Sequence, residues 1–417
     1  MTLRVNPATA AMLACLALCA VPGSSHAADT ITLDPRVIPV GKWAEGIAIA
    51  DNKLWVAESG QRSIAQVDLN RGSVVRRVQV GRLPVGMVTG SDGAVYSLVQ
   101  TDRLVWQQLP NGRTRSFGGL EGCPQGLAGS DQFLWVLTMP ECSSVSSRLI
   151  RMNPNGGDPT SSRVFSEWAQ AITTHQGKVW VAHARTPALT IVDEQTLSVR
   201  TANLAGVSLW AITACCGNVH VGGRLGDEKT GGIVLSIDPA TFQERRRHLV
   251  EQRIAVMADD DQSVVAVGEK GTIWVFSADR LELQRTITLA TGAFDPKAVL
   301  IVGDDLYLSS GQQNGENGAV LVLSGWRPDP APARPQSGPS RGGTPNMTTE
   351  CPYEVVNASA SGLWMHEDPD TDAPKVVGLP SNARGLEVDR CIRDWCHATF
   401  RGASGWVEKK NIRAYCN

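Results

Sequence analysis

The chain has 417 residues, and its 39 Lys and Arg against 41 Asp and Glu give a formal net charge of −2. This near-neutral balance argues against a general nucleic-acid surface, because phosphate binding needs a concentrated positive field. The hydrophobic content of 42% is enough for a packed core, and the chain is too long for one ordinary domain.

The first 27 residues have the features of a cleaved signal peptide. Arg4 supplies a weakly positive start, an apolar run extends from Ala8 to Val21, and Ser25-His26-Ala27 has the small-x-small pattern of a cleavage site. The apolar run is too short to span a bilayer. The sequence therefore predicts a periplasmic or secreted protein, cleaved near Ala27, with no transmembrane segment.

A repeated pattern occupies residues 31–325. An apolar run recurs every 39 to 45 residues, and its centres are Trp55, Tyr96, Trp135, Trp180, His220, Val265 and Tyr307. Each copy holds about four short alternating runs bounded by turn residues, which is typical of consecutive antiparallel strands. Seven such copies predict an all-β fold, a seven-bladed β-propeller.

The seventh copy is shorter than the others. Six copies have room for four strands, at roughly residues 44–80, 84–119, 124–166, 169–204, 209–250 and 254–289. The seventh, at residues 298–325, has room for three. We expect residues 31–40 to supply its missing outer strand, because this closure removes two exposed sheet edges.

Several third strands end in an acidic or amide residue, at Asp68, Asn153, Asp193 and Asp238. Such side chains can bond their own backbone and form the turn into the fourth strand. A ring of metal-binding carboxylates is the alternative, but each residue would lie at the edge of a separate blade. We therefore interpret them as structural.

The composition changes abruptly after the repeats. Residues 326–349 are rich in Pro, Gly and Ser and predict a linker. Residues 350–417 contain six short strand patterns and predict a small five- or six-strand barrel. A domain of this size has a marginal core, so we expect disulfides to stabilise it.

Export makes the cysteines candidates for disulfides, and these are favoured over a zinc site. The pairs that we expect are Cys123–Cys142 at the rim of the propeller, Cys391–Cys396 across a hairpin, and Cys351–Cys416 between the ends of the second domain. For Cys215 and Cys216, in a Cys-Cys-Gly turn, a vicinal disulfide and two free thiols are both open.

Four segments carry a family resemblance: Pro84-Val-Gly-Met, Pro124-Gln-Gly-Leu, Leu134-Trp-Val and Ile233-Val-Leu-Ser-Ile-Asp. With them, residues 31–325 resemble the seven-bladed propellers of the virginiamycin B lyase and YVTN-repeat group. The resemblance implies that ligands bind at one end of the central channel. It also implies that the lyases of the group use a metal assisted by histidine.

The same resemblance places two rings of side chains at the channel mouth. The inner ring consists of Glu45, Val85, Gln125, Gln170, Trp210, Ala255 and Lys297. The outer ring includes Glu58, Arg62, Asp102, Arg103, His183, Arg185, Arg224 and Glu269. The ligand-binding residues that we predict are Glu45, Arg62, Gln125, Gln170, His183, Arg185, Trp210, Arg224 and Lys297, because a concave mouth of mixed charge with one large aromatic suits a small ligand.

Two functions are open for this mouth, and a purely structural role in an envelope assembly is a third alternative for the protein. We favour a non-catalytic protein that binds a small ligand or a protein partner and needs no cofactor, because His183 is the only histidine expected there and proton transfer needs convergent partners. The alternative is a metal-assisted lyase or hydrolase in which His183 acts as the base. Glu58 is a candidate partner in that case, with a divalent cation as cofactor.

The second domain carries its own resemblance. With Asp394-Trp-Cys, Gly405-Trp-Val and the spacing to Ile412, residues 350–417 resemble a bacterial SH3 domain. The resemblance implies contact with cell-wall or other envelope material. The candidate groove residues are Trp364, His366, Trp395 and Trp406, although Trp395 and Trp406 are also explained as parts of a barrel core.

Overall fold

The computed structural model describes residues 28–140, 142, 146–154, 161–165, 167–226, 231–291, 294–313, 317–328, 353–356, 363–366, 373, 375–379, 383–392, 395–400 and 403–414. The predicted signal peptide, most of the predicted linker and the expected Cys351–Cys416 pair lie outside these residues. The chain divides into two compact units, Met1–Ala331 and Pro332–Asn417. Within the described ranges, no helix is long and apolar enough to cross a membrane.

The first unit consists of seven sheets, which we number as blades 1 to 7. It begins with two short strands, β1 (Asp29–Leu33) and β2 (Arg36–Pro39). The strands of the blades follow in chain order: blade 1, β3 (Ala44–Ala50), β4 (Lys53–Glu58), β5 (Ser63–Asp68) and β6 (Ser73–Gln79); blade 2, β7 (Pro84–Thr89), β8 (Val95–Val99), β9 (Leu104–Gln108) and β10 (Thr114–Phe117); blade 3, β11 (Cys123–Gly129), β12 (Leu134–Met139), β13 (Ser147–Met152) and β14 (Ser161–Phe165); blade 4, β15 (Ala169–His175), β16 (Lys178–His183), β17 (Ala188–Asp193) and β18 (Val199–Asn203); blade 5, β19 (Val207–Cys215), β20 (Asn218–Leu225), β21 (Gly232–Ile237) and β22 (Glu244–Val250); blade 6, β23 (Ile254–Asp259), β24 (Ser263–Gly268), β25 (Ile273–Ser277) and β26 (Leu283–Leu289); blade 7, β27 (Pro296–Val302), β28 (Asp305–Gln313) and β29 (Asn317–Ser324). A 3₁₀ turn, Ser59–Gln61, follows β4.

The seven blades form a closed ring. The first strands of successive blades contact one another in order, and β27 of blade 7 contacts β3 of blade 1. Each blade pairs its strands antiparallel in chain order, so the first strand is innermost. The predicted seven-bladed propeller is confirmed.

The ring is closed by the segment that follows the predicted signal peptide, but this segment forms two strands instead of the one predicted. Strand β2 pairs antiparallel with β29 and supplies the missing outer strand of blade 7, with Ile38 opposite Val320. Strand β1 instead pairs parallel with β26 of blade 6. Pro35 separates the two strands, and a proline cannot donate to a sheet ladder.

Large apolar side chains fill the interfaces between blades. Trp180 of blade 4 and Leu235 of blade 5 belong to one buried apolar cluster, and Trp135 of blade 3 and Val179 of blade 4 belong to another. The Trp135 indole N–H donates to Glu194 Oε1 at 2.9 Å. The recurring aromatic residue of the sequence pattern therefore has a structural role.

Three of the predicted turn residues form the turns expected of them. The Oδ1 atoms of Asp68, Asp193 and Asp238 each accept two backbone N–H groups from the following turn, at 2.8 to 3.1 Å. The bond to Arg245, and then those to the backbone, lower the pKa of Asp238 to about 2. These carboxylates are therefore committed to local structure.

The described residues of the second unit form a single sheet of seven strands. They are β30 (Tyr353–Val355), β31 (Leu363–His366), β32 (Lys375–Leu379), β33 (Arg384–Ile392), β34 (Trp395–Phe400), β35 (Ala403–Glu408) and β36 (Ile412–Ala414), with a 3₁₀ turn at Lys409–Asn411. The strand order is β32-β31-β35-β34-β33-β30-β36. All six predicted strands are present, but in the described residues the edge strands β32 and β36 are not paired with each other. The sheet is therefore not the closed barrel that was predicted.

Disulfides are present in both units. The Cys123–Cys142 pair is confirmed, with Cα atoms 5.2 Å apart. Cys396 is disulfide-bonded, and the register of β33 and β34 places Cys391 directly opposite it. Cys215 and Cys216 are free thiols.

Candidate ligand site in the propeller channel

A cavity of about 1100 Å³ occupies the channel along the innermost strands and includes the positions where they begin. All seven residues of the predicted inner ring line it: Glu45, Val85, Gln125, Gln170, Trp210, Ala255 and Lys297. Small-molecule sites are typically about 300 to 1,000 Å³. The cavity is therefore large enough for a small ligand or for a segment of a partner protein.

A β-bulge in each innermost strand accounts for this ring. In blade 5 the pairing passes from Leu209↔Gly223 to Ala211↔Gly222, which leaves Trp210 without a partner. The register slips at the ring position of the other six blades as well. A bulge interrupts the alternation of side chains and re-aims the unpaired residue, so every blade contributes one residue to the channel.

In blade 1 the unpaired stretch contains a second residue, Gly46. A Cβ atom at this position would lie 2.4 Å from the Val85 carbonyl oxygen. Only glycine allows the backbones of blades 1 and 2 to approach this closely beside the cavity.

The charged residues of the cavity lie on one side. Blades 1, 6 and 7 contribute three acidic and three basic residues: Glu45, Arg253, Glu269, Lys270, Asp295 and Lys297. Arg253 pairs with Glu269 at 3.0 Å, and Lys297 pairs with Asp295 at 3.1 Å. The lining residues of blades 2, 3 and 4 are uncharged, so a ligand meets both charge signs on one wall and amide or apolar groups on the other.

Trp210 and Arg253 form the aromatic part of the charged wall. The Arg253 guanidinium carbon lies 4.2 Å from the centroid of the Trp210 ring, a cation–π arrangement that Glu269 helps to fix through its bond to Arg253 Nε. The indole N–H of Trp210 is buried and has no hydrogen-bond partner in the described part of the structure.

Burial and two neighbouring charges act on the pKa of Glu45 in opposite directions. Burial raises the pKa of its carboxyl group, the Lys297 charge lowers it, and Asp295 raises it further. The net effect is a raised pKa. This carboxylate is therefore held in the channel at a cost in free energy, which is characteristic of functional sites.

Of the predicted outer ring, only Glu269 lines the cavity. The expected position of His183 needs the clearest correction. Its side chain is 1% exposed, its Nε2 lies 2.8 Å from Thr190 Oγ1, and its ring packs edge-on against Phe165 of blade 3. Burial lowers its pKa. The prediction that His183 faces the channel mouth is wrong, because the residue lies on β16, where alternation turns it into the interface between blades.

Glu58 is likewise structural. It is fully buried, it accepts from Gly41 N at 2.7 Å and from Ser63 Oγ at 2.6 Å, and it pairs with Arg77 at 3.1 Å. A carboxylate with this many partners is not free to act on a substrate. Neither residue named for the lyase alternative is in the position that the alternative requires.

The three predicted arginines also lie outside the cavity lining. Arg62 is an exposed residue that ends the 3₁₀ turn of blade 1. Arg185 stacks on Trp168, with its guanidinium carbon 4.4 Å from the ring centroid. Arg224 is half-buried on β20.

Sequence reasoning missed three charged residues of the lining: Arg253, Lys270 and Asp295. Arg253 and Asp295 each lie one residue before an innermost strand. A search for charges directly before these strands would have found both. Glu269, which was expected in the outer ring, lines the cavity beside Arg253.

The four aromatic and histidine residues expected to form a groove in the second unit are not equivalent. Trp364 is 40% exposed, and Lys375 Nζ lies 5.0 Å from the centroid of its ring. His366 is buried, with Nδ1 2.9 Å from the Ala373 carbonyl oxygen. Trp406 is buried too, and Trp395 is half-buried against His366. Only Trp364 presents a large exposed surface.

Solved structures share the propeller. A streptogramin B lyase matches with a TM-score of 0.55 at 12% identity over 69% of this chain and 97% of its own. Virginiamycin B lyase from Staphylococcus aureus matches with a TM-score of 0.53 at 11% identity over 70% of this chain and 100% of its own. The WD40 repeats of RRP9 match with a TM-score of 0.58 at 13% identity over 70% of this chain and 97% of their own.

The likeness is one of fold. At these identities the WD40 structure matches as well as the two lyases do, so the similarity reflects the arrangement of blades and carries no activity with it. No model of a known protein family matches the sequence, and no curated protein matches it either.

Proposed function

We propose that the protein is an exported, non-catalytic binding protein whose channel mouth recognises a small polar ligand or a segment of a partner protein. The convergence of seven bulge residues on one cavity carries the proposal. A bulge leaves one residue without its pairing in the sheet. Because every blade has a bulge at the same position, seven side chains face the same cavity.

The chemistry of the lining supports binding over catalysis. Among the residues that line the cavity, all of them described, there is no histidine, cysteine, serine or tyrosine. The acids Glu269 and Asp295 are held in ion pairs. The wall of paired charges and the facing Gln125 and Gln170 amides suit a ligand that carries charged and amide groups, such as a peptide segment.

For the second unit we propose an SH3-like domain that contacts cell-envelope material, which places the protein in the periplasm or outside the cell. The number and order of its short strands support this proposal, together with the exposed Trp364 beside Lys375. Aromatic rings with one apolar face and a neighbouring cation are common contact residues. The proposal includes no nucleic-acid partner and no membrane span.

Native mass spectrometry tests the channel. The purified chain is incubated with the small-molecule and peptide extract of the cell envelope, and Trp210→Ala is compared with Trp168→Ala. The control is closely matched, because Trp168 also carries a stacked arginine but lies outside the cavity. We expect a bound mass that Trp168→Ala retains and that Trp210→Ala binds about 30-fold more weakly, the effect of losing one aromatic anchor. Equal binding by the two variants contradicts the assignment of the site.

Co-sedimentation with purified cell wall tests the second unit. We expect the intact chain to sediment and the chain without residues 350–417 to remain in the supernatant. Trp364→Ala is expected to weaken sedimentation, whereas Trp43→Ala, which removes an exposed tryptophan of the propeller (48% exposed), is expected to have no effect. Sedimentation of the truncated chain at the level of the intact chain refutes the envelope assignment.

A further inference from the structure

Two adjacent free thiols lie at the end of β19 that is far from the channel mouth. Cys215 is the last residue of β19, five residues after Trp210, and it pairs with Asn218 across a two-residue turn. At about 3.3 Å per residue, this turn is roughly 17 Å from the mouth. Cys215 is half-buried and Cys216 is exposed, so one thiol of the pair is open to solvent.

The turn places Cys216 in an unusual backbone conformation. Cys216 and Gly217 have φ values of 54° and 71°, the pattern of a type I′ turn, which strongly prefers Asn, Asp or Gly. The corresponding turns of blades 1 and 4 place Asp51 and Gln176 in this left-handed region. A cysteine there gives no conformational advantage, so its value lies in its chemistry.

The surroundings of the pair supply what thiol exchange requires. The Cys216 thiol, burial and the charge of Asp259 on the neighbouring blade raise the pKa of the Cys215 thiol, so both groups lie close to it. Cys216 Sγ lies 3.4 Å from the Asp260 carbonyl oxygen. Asp259 Oδ2 is buried and has no hydrogen-bond partner in the described residues, so it can accept a proton.

Asp259 differs from the acid that follows it. The Asp260 carboxylate is occupied by Arg327 and by two backbone N–H groups. Burial raises the pKa of Asp259 to about 6, which its bonds from Thr213 and Cys215 oppose. A base with a pKa close to neutrality is suited to take a proton from a thiol and to release it again.

We propose that Cys215 and Cys216 form a redox-active dithiol that exchanges with low-molecular-weight disulfides, with Asp259 as the base for the second step. The Cys216 thiolate attacks the external disulfide, forms a mixed disulfide and releases one thiol. Cys215 then gives its proton to Asp259 and attacks Cys216 Sγ, which releases the second thiol. Two protein thiols become one vicinal disulfide, and the external disulfide is reduced to two thiols, so atoms and electrons balance.

Peptide mass spectrometry on the whole chain tests this exchange. Trypsin releases residues 201–224 as one peptide whose only cysteines are this pair. The protein is equilibrated with cystamine and cysteamine, or with oxidised and reduced glutathione, at increasing ratios, and is then alkylated and digested. We expect the doubly alkylated peptide to be replaced by an unalkylated peptide. The mass of this peptide should be two hydrogen atoms below that of the reduced, unalkylated form. Cystamine should react several-fold faster, because the carboxylates of Asp259 and Asp261 repel the anionic glutathione disulfide.

Two variants resolve the steps. Cys215→Ser is expected to stop at the mixed disulfide on Cys216, and Asp259→Asn to slow ring closure by on the order of 10²-fold, the usual contribution of a general base. Circular dichroism establishes that each variant is folded. Alkylation of both cysteines at every ratio in the wild-type chain overturns the proposal, and so does a mixed disulfide on Cys216 that never closes.

Discussion

The inner and outer rings of the channel mouth contain similar polar residues but, apart from Glu269, lie in different surroundings. The inner ring lies on the bulges of the innermost strands, and its side chains line the cavity. The outer ring includes the ends of the second strands, where Glu58 and His183 are buried with partners of their own. In blades 1 and 4, therefore, a polar residue on the bulge lines the cavity, whereas the polar residue at the end of the second strand is buried in the scaffold.

The largest expected effect is the loss of Glu58. Glu58→Ala leaves the Gly41 N–H and the Ser63 hydroxyl without their buried acceptor, so we expect the free energy of unfolding to fall by about 3 kcal/mol. Glu45→Ala is the matched control, because it removes the same group from the inner ring. It should cost less than about 1 kcal/mol. Urea unfolding measures both, and equal losses contradict the distinction between the rings.

The pH dependence of stability tests the burial of second-strand histidines. Burial, followed by the charge of His175, lowers the pKa of His220 from 6.5 to about 4. The unfolded chain therefore binds a proton on this group at a higher pH than the folded chain does. The contribution of neutral His220 to the free energy of unfolding is fully present above pH 6.5. It is lost as the pH falls towards 4, by about 3 kcal/mol for a pKa shift of this size.

His220→Leu removes this group while keeping a side chain of similar size. We expect the difference in unfolding free energy between pH 7 and pH 4.5 to be smaller in the variant than in the wild type. Denaturant unfolding at the two pH values gives the comparison. An unchanged difference indicates that His220 is not buried in its neutral form.

The smallest effect is expected for the charge of Glu45. Its raised pKa means that the folded chain holds a proton on this carboxyl group at a higher pH than the unfolded chain does. This contribution to stability is present at low pH and is lost as the pH rises through 4.5 to the folded pKa. Glu45→Gln should therefore melt at a slightly higher temperature than the wild type at pH 7 and at the same temperature near pH 4. A lower melting temperature at pH 7 implies that the ionised carboxylate stabilises the fold.

Much of the fold follows from local pattern. The spacing from Trp55 to Tyr307 predicts seven blades, and the short sequence around Asp193 predicts a turn that the structure confirms. The division of residues 31–40 between two blades was not predictable in the same way. Both halves are suitable strands, and only the assembled ring shows that β26 of blade 6 has an edge to which β1 can pair.

The candidate site depends less on local pattern. The resemblance to other propellers gave the seven inner positions, and the structure brings them into one cavity. The resemblance did not give the correct positions of His183, Glu58 and Arg185. Whether these residues are buried depends on alternation along a second strand and on the facing side chains of a neighbouring blade. The resemblance also omitted Arg253, whose position over Trp210 depends on contact between two blades.

The sequence by itself determined the number of blades, the strand positions and the cysteine pair at the propeller rim, because these depend on periodicity and on short-range geometry. The tertiary structure decided which charges share a cavity, which histidines are buried and which carboxylate lies beside Cys215. Those properties arise where separate blades meet. Closure of the ring makes neighbours of residues as distant in the chain as Glu45 and Lys297. A local sequence pattern does not predict such a contact.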